Sequence, residues 1–356
     1  MKKLVSLTLA LVLAFSFAAC TASPTTSSPV QTSSPASPES SQQPDSDVKA
    51  NEDIRIVVVC KNLADNFFLN YQYPAEETAK ELGIQFEWVA PAENVVEDQV
   101  KMFESVVATK PDAIFFSPID QEGAIDLINA AVEQGITVAT FDSDSPDSER
   151  AFFIGCDGYD LGYQCGEEMV KALPDGGNVA VVLGEAGIPV LEDRKRGFED
   201  AIKDHNITVR DTLVYNLSSA TIATVDAIEQ YISAYGDEID GLYCVAGWMC
   251  YADTGSMPYT KVWADNGGTF INIDTSYESI NFIKEGICKV HIAQDTRGAA
   301  INAINILSRM AKGEDISAIV TDMGLTLDEQ NNIWLGGVYV DVDNCDEVRE
   351  TLPEGF

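Results

Sequence analysis

The sequence predicts an α/β protein of two Rossmann-like lobes with a ligand cleft between them, joined by a hinge that the chain crosses more than once. Three observations predict it. Short β-branched runs alternate with amphipathic helical stretches from about residue 54 onward, and the alternation restarts near residue 152. One late helical stretch, TRGAAINAINILSRMAKG (296–313), has no matching strand in the second half. Strict alternation gives parallel sheets with right-handed crossovers. A stray helix that returns to the first half adds a hinge crossing, an arrangement suited to closure around a ligand.

In the first half IRIVVVC (54–60) opens the series, followed by a helical stretch ending near Leu82-Gly83 with Pro74 as an expected kink. QFEWV (85–89) precedes ENVVEDQVKMFESVVATK, in which Val96, Val100, Phe103 and Val107 recur at helical spacing. AIFF (113–116) precedes DQEGAIDLINAAVEQG, and ITVATF (136–141) follows. In the second half FFIG leads to DGYDLGYQCGEEMVKAL, NVAVVL to VLEDRKRGFEDAIKDH, and ITVRDTLVY to ATIATVDAIEQYISAY; GLYCVAG, TFINID and CKVHIAQ supply further strands. The expected lobes are residues 53–155 plus 296–325 and residues 156–295 plus 326–356.

The first twenty residues, MKKLVSLTLALVLAFSFAAC, have the layout of a secretory signal: two lysines, an apolar run, then small residues. Ala18-Ala19-Cys20 resembles a bacterial lipobox, in which cleavage precedes a diacylated cysteine; Phe17 departs from the usual leucine, and an ordinary cleavage near the same alanines is the alternative. Residues 21–52 are rich in Ser, Thr and Pro and contain no aromatic, so they read as a disordered tether.

The net charge of −35 over 356 residues argues against nucleic acid, anionic membrane surfaces and anionic ligands. A neutral ligand fits best, and membrane contact is expected only through the lipid anchor. Seven cysteines follow Cys20, an odd number that cannot all pair within one chain. No C-x-x-C pair occurs and only two histidines are present, so no metal site and no cofactor are expected.

Ligands of open α/β sheets sit beyond the carboxyl ends of the strands. The stretch VATFDSDS (138–145) ends a buried strand in Asp142, Ser143 and Asp144, acceptors for a ligand rich in hydroxyls; a solvated acidic turn is the alternative. Arg194 offers a fork of donors and Asp274 a second carboxylate, so that with Asp142 they can orient a polyol. Phe67 and Phe68 are read as rings covering the apolar face of a sugar, the alternative being a place in the core.

Taken together these pieces resemble the type I periplasmic binding proteins, sugar-binding branch, over about residues 53–340. Asp65-Asn66-Phe67-Phe68 resembles an N-x-F-F type motif that packs on the sugar, with Asp65 in place of asparagine. Asp142 stands at the place of the family's ligand-binding aspartate, and IGCDGYDLGYQCGEEM resembles its first hinge crossing. Arg194, Gly197 and Phe198 match R-x-x-G-F, INIDTSYESINFIKEG places Asp274 as the second aspartate, and HIAQD places Gln294 at the hinge glutamine. Two departures stand out. Ser143 replaces the arginine of ribose binders, which argues against D-ribose, and Gly247-Trp248 replaces an amide-bearing pair, so Trp248 is read as a stacking contact.

The resemblance implies an extracytoplasmic, lipid-anchored, monomeric binding protein that captures a monosaccharide and delivers it to an ABC permease. A sensory protein presenting the sugar to a membrane receptor is the alternative. A transcription regulator of similar core is opposed by the export signal and the acidity. An enzyme is opposed by the lack of a G-x-S-x-G or H-E-x-x-H motif.

Overall fold

The computed structural model describes residues 48–63, 66–215 and 220–354. The expected signal peptide with Cys20, the tether up to residue 47, and Asp65 lie outside the described residues. The end of the expected tether belongs to the folded body. Lys49 Nζ meets Asp112 Oδ1 at 2.5 Å, and Asn51 Nδ2 donates to Leu82 O at 2.6 Å.

In the first lobe the chain runs β1 (Arg55–Val59), α1 (Leu69–Leu82), β2 (Gln85–Val89), α2 (Val96–Ala108), β3 (Ala113–Phe116), α3 (Ala124–Val132), β4 (Thr137–Phe141) and β5 (Phe152–Cys156). It crosses into α4 (Gly158–Ala172), β6 (Gly177–Gly184), α5 (Pro189–Ile202), β7 (Ile207–Val214), α6 (Ala220–Tyr235), β8 (Gly241–Cys244), α7 (Pro258–Asp265), β9 (Thr269–Ile273), α8 (Ile280–Lys284) and β10 (Val290–Gln294). It returns through α9 (Thr296–Met310), α10 (Ile316–Asp322) and β11 (Asn332–Leu335), then crosses a third time into β12 (Gly337–Val340) and α11 (Cys345–Arg349).

The sheets have orders β11-β5-β4-β3-β1-β2 and β12-β10-β9-β8-β6-β7, so each lobe repeats the other strand for strand. All pairings are parallel except β12 against β10. The β-branched runs are continuous because both sheet faces are covered. In β1, Ile56 and Val58 face the helices α1 and α9, while Val57 and Val59 face α2 and α3. Helix α9 buries Ala299, Ala303 and Ile304 in the first lobe's core, as its lack of a partner strand predicts. Helix α1 continues through Pro74.

Two expectations need correction. Residues 326–335 were expected in the second lobe, but β11 pairs with β5, Ile333 opposite Ile154, and Ile333 is fully buried in the first core. The last crossing therefore falls at Gly336. In α2 the buried face is Gln99, Phe103 and Val106, with Val96 39% exposed, one position off the apolar spacing. Gln99 is the reason. Its Nε2 donates to Cys60 O (3.0 Å) and Ser117 O (2.8 Å), and its Oε1 accepts from the Ile119 N–H (2.9 Å). A buried amide thus ties together the ends of β1 and β3, both of which border the cleft.

The three crossings meet at one side chain. Cys156 Sγ accepts from the Asp295 N–H at 3.3 Å and lies 3.7 Å from Gly336 O, to which it donates. Burial pushes this thiol up to about 12, so it stays protonated and able to donate. All seven described cysteines are unpaired.

Candidate functional site

Both lobes place an aspartate at the same point of the fold, the end of the third strand in each sheet order. Asp142 follows β4 and Asp274 follows β9, and both have left-handed backbones, φ 59° and 67°. A non-glycine residue in that region carries about 1–3 kcal/mol of strain and persists only where its surroundings hold it. At Asp142 the hold is a three-residue turn, closed by the Ser143 N–H donating to Phe141 O at 2.6 Å. At Asp274 the backbone carbonyl accepts from Asn272 Nδ2 (3.3 Å) and Cys250 Sγ (3.4 Å). Gly247 packs on this residue so closely that a Cβ there would lie 2.6 Å from Asp274 Cβ.

The two aspartates share a cavity of about 230 Å³ between the lobes. Phe67, Ser143, Arg194, Trp248 and Gln294 also line it, so seven of the residues picked from the sequence come together. Gln294 Nε2 donates to Asp274 Oδ1 at 2.9 Å, which orients that carboxylate from the hinge. Arg194 is 6% exposed and its Nη1 donates to Val245 O at 3.1 Å. Its Nε has no partner in the protein, and among the described residues no carboxylate pairs with the guanidinium. A buried, incompletely satisfied charge at the wall of a cavity is poised for an acceptor on a ligand.

Two picks fail. Asp144 is turned away from the cavity: both its oxygens bind the buried Arg150 (2.5 and 2.7 Å), and Thr140 Oγ1 donates to it at 2.6 Å. It closes the loop after β4 by neutralising a buried cation. Phe68 is 5% exposed and belongs to the first core, packed edge-on against Phe67. The core reading holds for Phe68, whereas Phe67 packs against the same core and also lines the cavity.

Sequence reasoning missed Lys61. Its Nζ lies 2.7 Å from Asp142 Oδ2 and donates to Ser143 Oγ, while Ser117 Oγ reaches the same carboxylate oxygen at 3.1 Å. The cleft therefore holds two cations, Lys61 and Arg194, against two carboxylates, and suits a neutral ligand with many hydroxyls. Lys61 stands two residues past the end of the first strand, so the strand-end rule that points to Asp142 points to it too. Cys156 and Tyr251 also line the cavity.

Beneath Asp274 lies His291, fully buried on β10 with Nδ1 3.1 Å from Asn272 Nδ2. Burial lowers its pKa from 6.5 to about 4. The unfolded chain takes up a proton near pH 6.5 and the folded one only near pH 4. Stability from this group is therefore complete above pH 6.5 and is lost as pH falls toward 4, by about 3 kcal/mol. Urea titrations between pH 7 and 4 should show His291→Gln losing less stability than wild type by about that amount; parallel acid limbs would contradict this.

The periplasmic binding protein domain family matches residues 56–315, well over half of the chain. A D-ribose/D-allose-binding protein of Pseudomonas aeruginosa is 29% identical over 157 residues, 42% of this chain and 49% of that protein. The chain thus spans about half the length of that relative. A solute-binding protein of an ABC transporter from Burkholderia graminis, solved with D-arabinose, superposes with a TM-score of 0.70 at 24% identity, over 83% of this chain and 98% of the other. A structure described as an XylFII–LytSN complex gives 0.65 at 25% identity, over 82% and 98%.

Proposed function

The chain belongs to the periplasmic binding protein family, and we propose that it captures a small neutral sugar between its lobes and delivers it to an ABC-type importer. It is a binding protein, not an enzyme. The observation that carries the sugar reading is the pair of left-handed aspartates, one from each lobe, facing a single cavity with an unpaired guanidinium and the rings of Phe67 and Trp248. Carboxylates accept hydroxyl protons, Arg194 donates to hydroxyl oxygens, and the rings cover C–H faces. The names of relatives that bind ribose, allose or arabinose support the same class. Because a sugar touches both lobes only when they are closed, it shifts the population toward the closed form, which a permease then reads.

In this reading the protein works outside the cytoplasm, held at the membrane by lipid on Cys20 and a tether that ends near Lys49. A second reading has the closed form engage a sensory partner protein instead of a permease; the solved XylFII–LytSN structure, in which a structurally similar protein is described in a complex, is the observation that favours a second partner.

A thermal-shift panel of aldoses, ketoses and polyols tests the sugar class. A ligand at 100 times its Kd stabilises by about 2.7 kcal/mol, which corresponds to roughly 5–10 °C in a lobe of this size. No shift with any sugar at millimolar concentration would refute the reading. Lys61→Met is expected to weaken the best sugar about tenfold by calorimetry, the equivalent of one hydrogen bond from a charged group, with Lys61→Arg closer to wild type. Unchanged affinity in Lys61→Met would remove Lys61 from the site.

A further inference from the structure

A second and larger cavity, about 380 Å³, adjoins the first. Phe67, Asp274 and Gln294 line both, so the two compartments adjoin at these three side chains. The second compartment, like the first, is walled by both lobes. Asn70 of α1 and Thr296 at the start of α9 come from one side, and Thr275, Val338 and Val348 come from the other. The smaller compartment alone falls below the usual range for ligand sites, about 300–1,000 Å³, whereas the two together, roughly 600 Å³, lie within it.

We propose that the natural ligand is a disaccharide or an O-glycoside, with one sugar ring in the compartment of Asp142 and Arg194 and its second unit in the compartment of Val348. This rests on the sugar reading above and names its substrate class. The lining fits such a unit. Neutral hydrogen-bonding groups on Asn70 and Thr275 stand among the apolar walls of Phe67, Val338 and Val348, the mixture that binds a sugar ring or an apolar aglycone. Asp274, Asp295 and Glu347 outnumber Arg297 there, which disfavours a phosphorylated or sulfated unit. A second unit in contact with both lobes also adds to the free energy of closure, since those contacts exist only when the lobes are together. A free monosaccharide leaves this space without partner atoms.

The test uses the full chain and isothermal titration calorimetry. The probes are arabinose, xylose and galactose, their para-nitrophenyl glycosides, and the disaccharides xylobiose and melibiose. At least one glycoside or disaccharide should bind tenfold or more tighter than its parent monosaccharide. Val348→Trp, which fills the second compartment, should cancel that advantage and leave the monosaccharide within twofold of wild type. Thr351→Trp lies at the exposed rim of the same compartment, does not disturb the core, and should act in the same direction. Monosaccharides binding as tightly as every glycoside and disaccharide, or both variants weakening the two ligand classes equally, would overturn the proposal and leave the sugar reading standing. Absence of binding by every probe would overturn both.

Discussion

Arg194→Met is expected to weaken sugar binding by about 100-fold or more while leaving the unliganded protein as stable as wild type or slightly more so. The two halves of this result follow from one observation. The guanidinium is nearly fully buried, holds one backbone carbonyl, and leaves Nε without a partner. Burying a charge with incomplete pairing costs several kcal/mol, and replacing it with an apolar side chain of similar volume is often neutral or stabilising. Methionine keeps an apolar stem of similar length on α5 and removes the unpaired charge. The ligand loses its charged donor. Each hydrogen bond to a charged group contributes about 1.5–3 kcal/mol, so the loss of two weakens binding by roughly 100-fold to 10,000-fold. Calorimetry with the best sugar of the panel, beside a thermal melt of the unliganded variant, checks both halves. Affinity within threefold of wild type would remove Arg194 from the site, and a large fall in melting temperature would show that the residue serves the fold.

The residues that line the cleft were legible to the extent that they follow strands. Asp142, Asp274 and Gln294 each stand at the end of an apolar run, and the crevice beyond the strand ends is where such sheets bind. Lys61 obeys the same rule, standing just past the end of β1. Asp144 and Phe68 were misplaced for a different reason: a strand end does not state which of its successive side chains turns inward. Arg150, six residues on, claims Asp144, and the α1 side of the first core claims Phe68. Neither partner is readable from local pattern. The lobe boundary at β11 failed similarly, since NIWL and GVYV are adjacent short runs that pair with different sheets, and only Gly336 between them marks the crossing. The second compartment was not legible at all, because α1, α9 and the C-terminal helix are brought together by the third crossing.

Gly197→Ala should be among the most damaging single methyl groups that can be added to the second lobe. Helices α4 and α5 approach backbone to backbone: a Cβ on Gly197 would lie 2.0 Å from Tyr159 O, and one on Gly162 would lie 1.9 Å from Arg194 O. Neither contact is with the movable end of a side chain, so the helices must separate along their length. Overpacking of this kind costs about 1–3 kcal/mol where side chains can yield and more where they cannot; a loss of about 3 kcal/mol or more is expected, or roughly 6–12 °C in melting temperature. The effect reaches the cleft, because Arg194 lies one turn before Gly197 and its carbonyl also accepts from Tyr243 Oη at 3.4 Å within the core. Moving α5 outward withdraws the guanidinium from the sugar. The folded fraction of Gly197→Ala should therefore bind at least tenfold more weakly than wild type, and Gly162→Ala, on the facing helix, should reproduce both effects. Neither substitution touches the cavity directly, so a variant that melts like wild type and binds like wild type would show that the close approach of α4 and α5 does not set the position of Arg194.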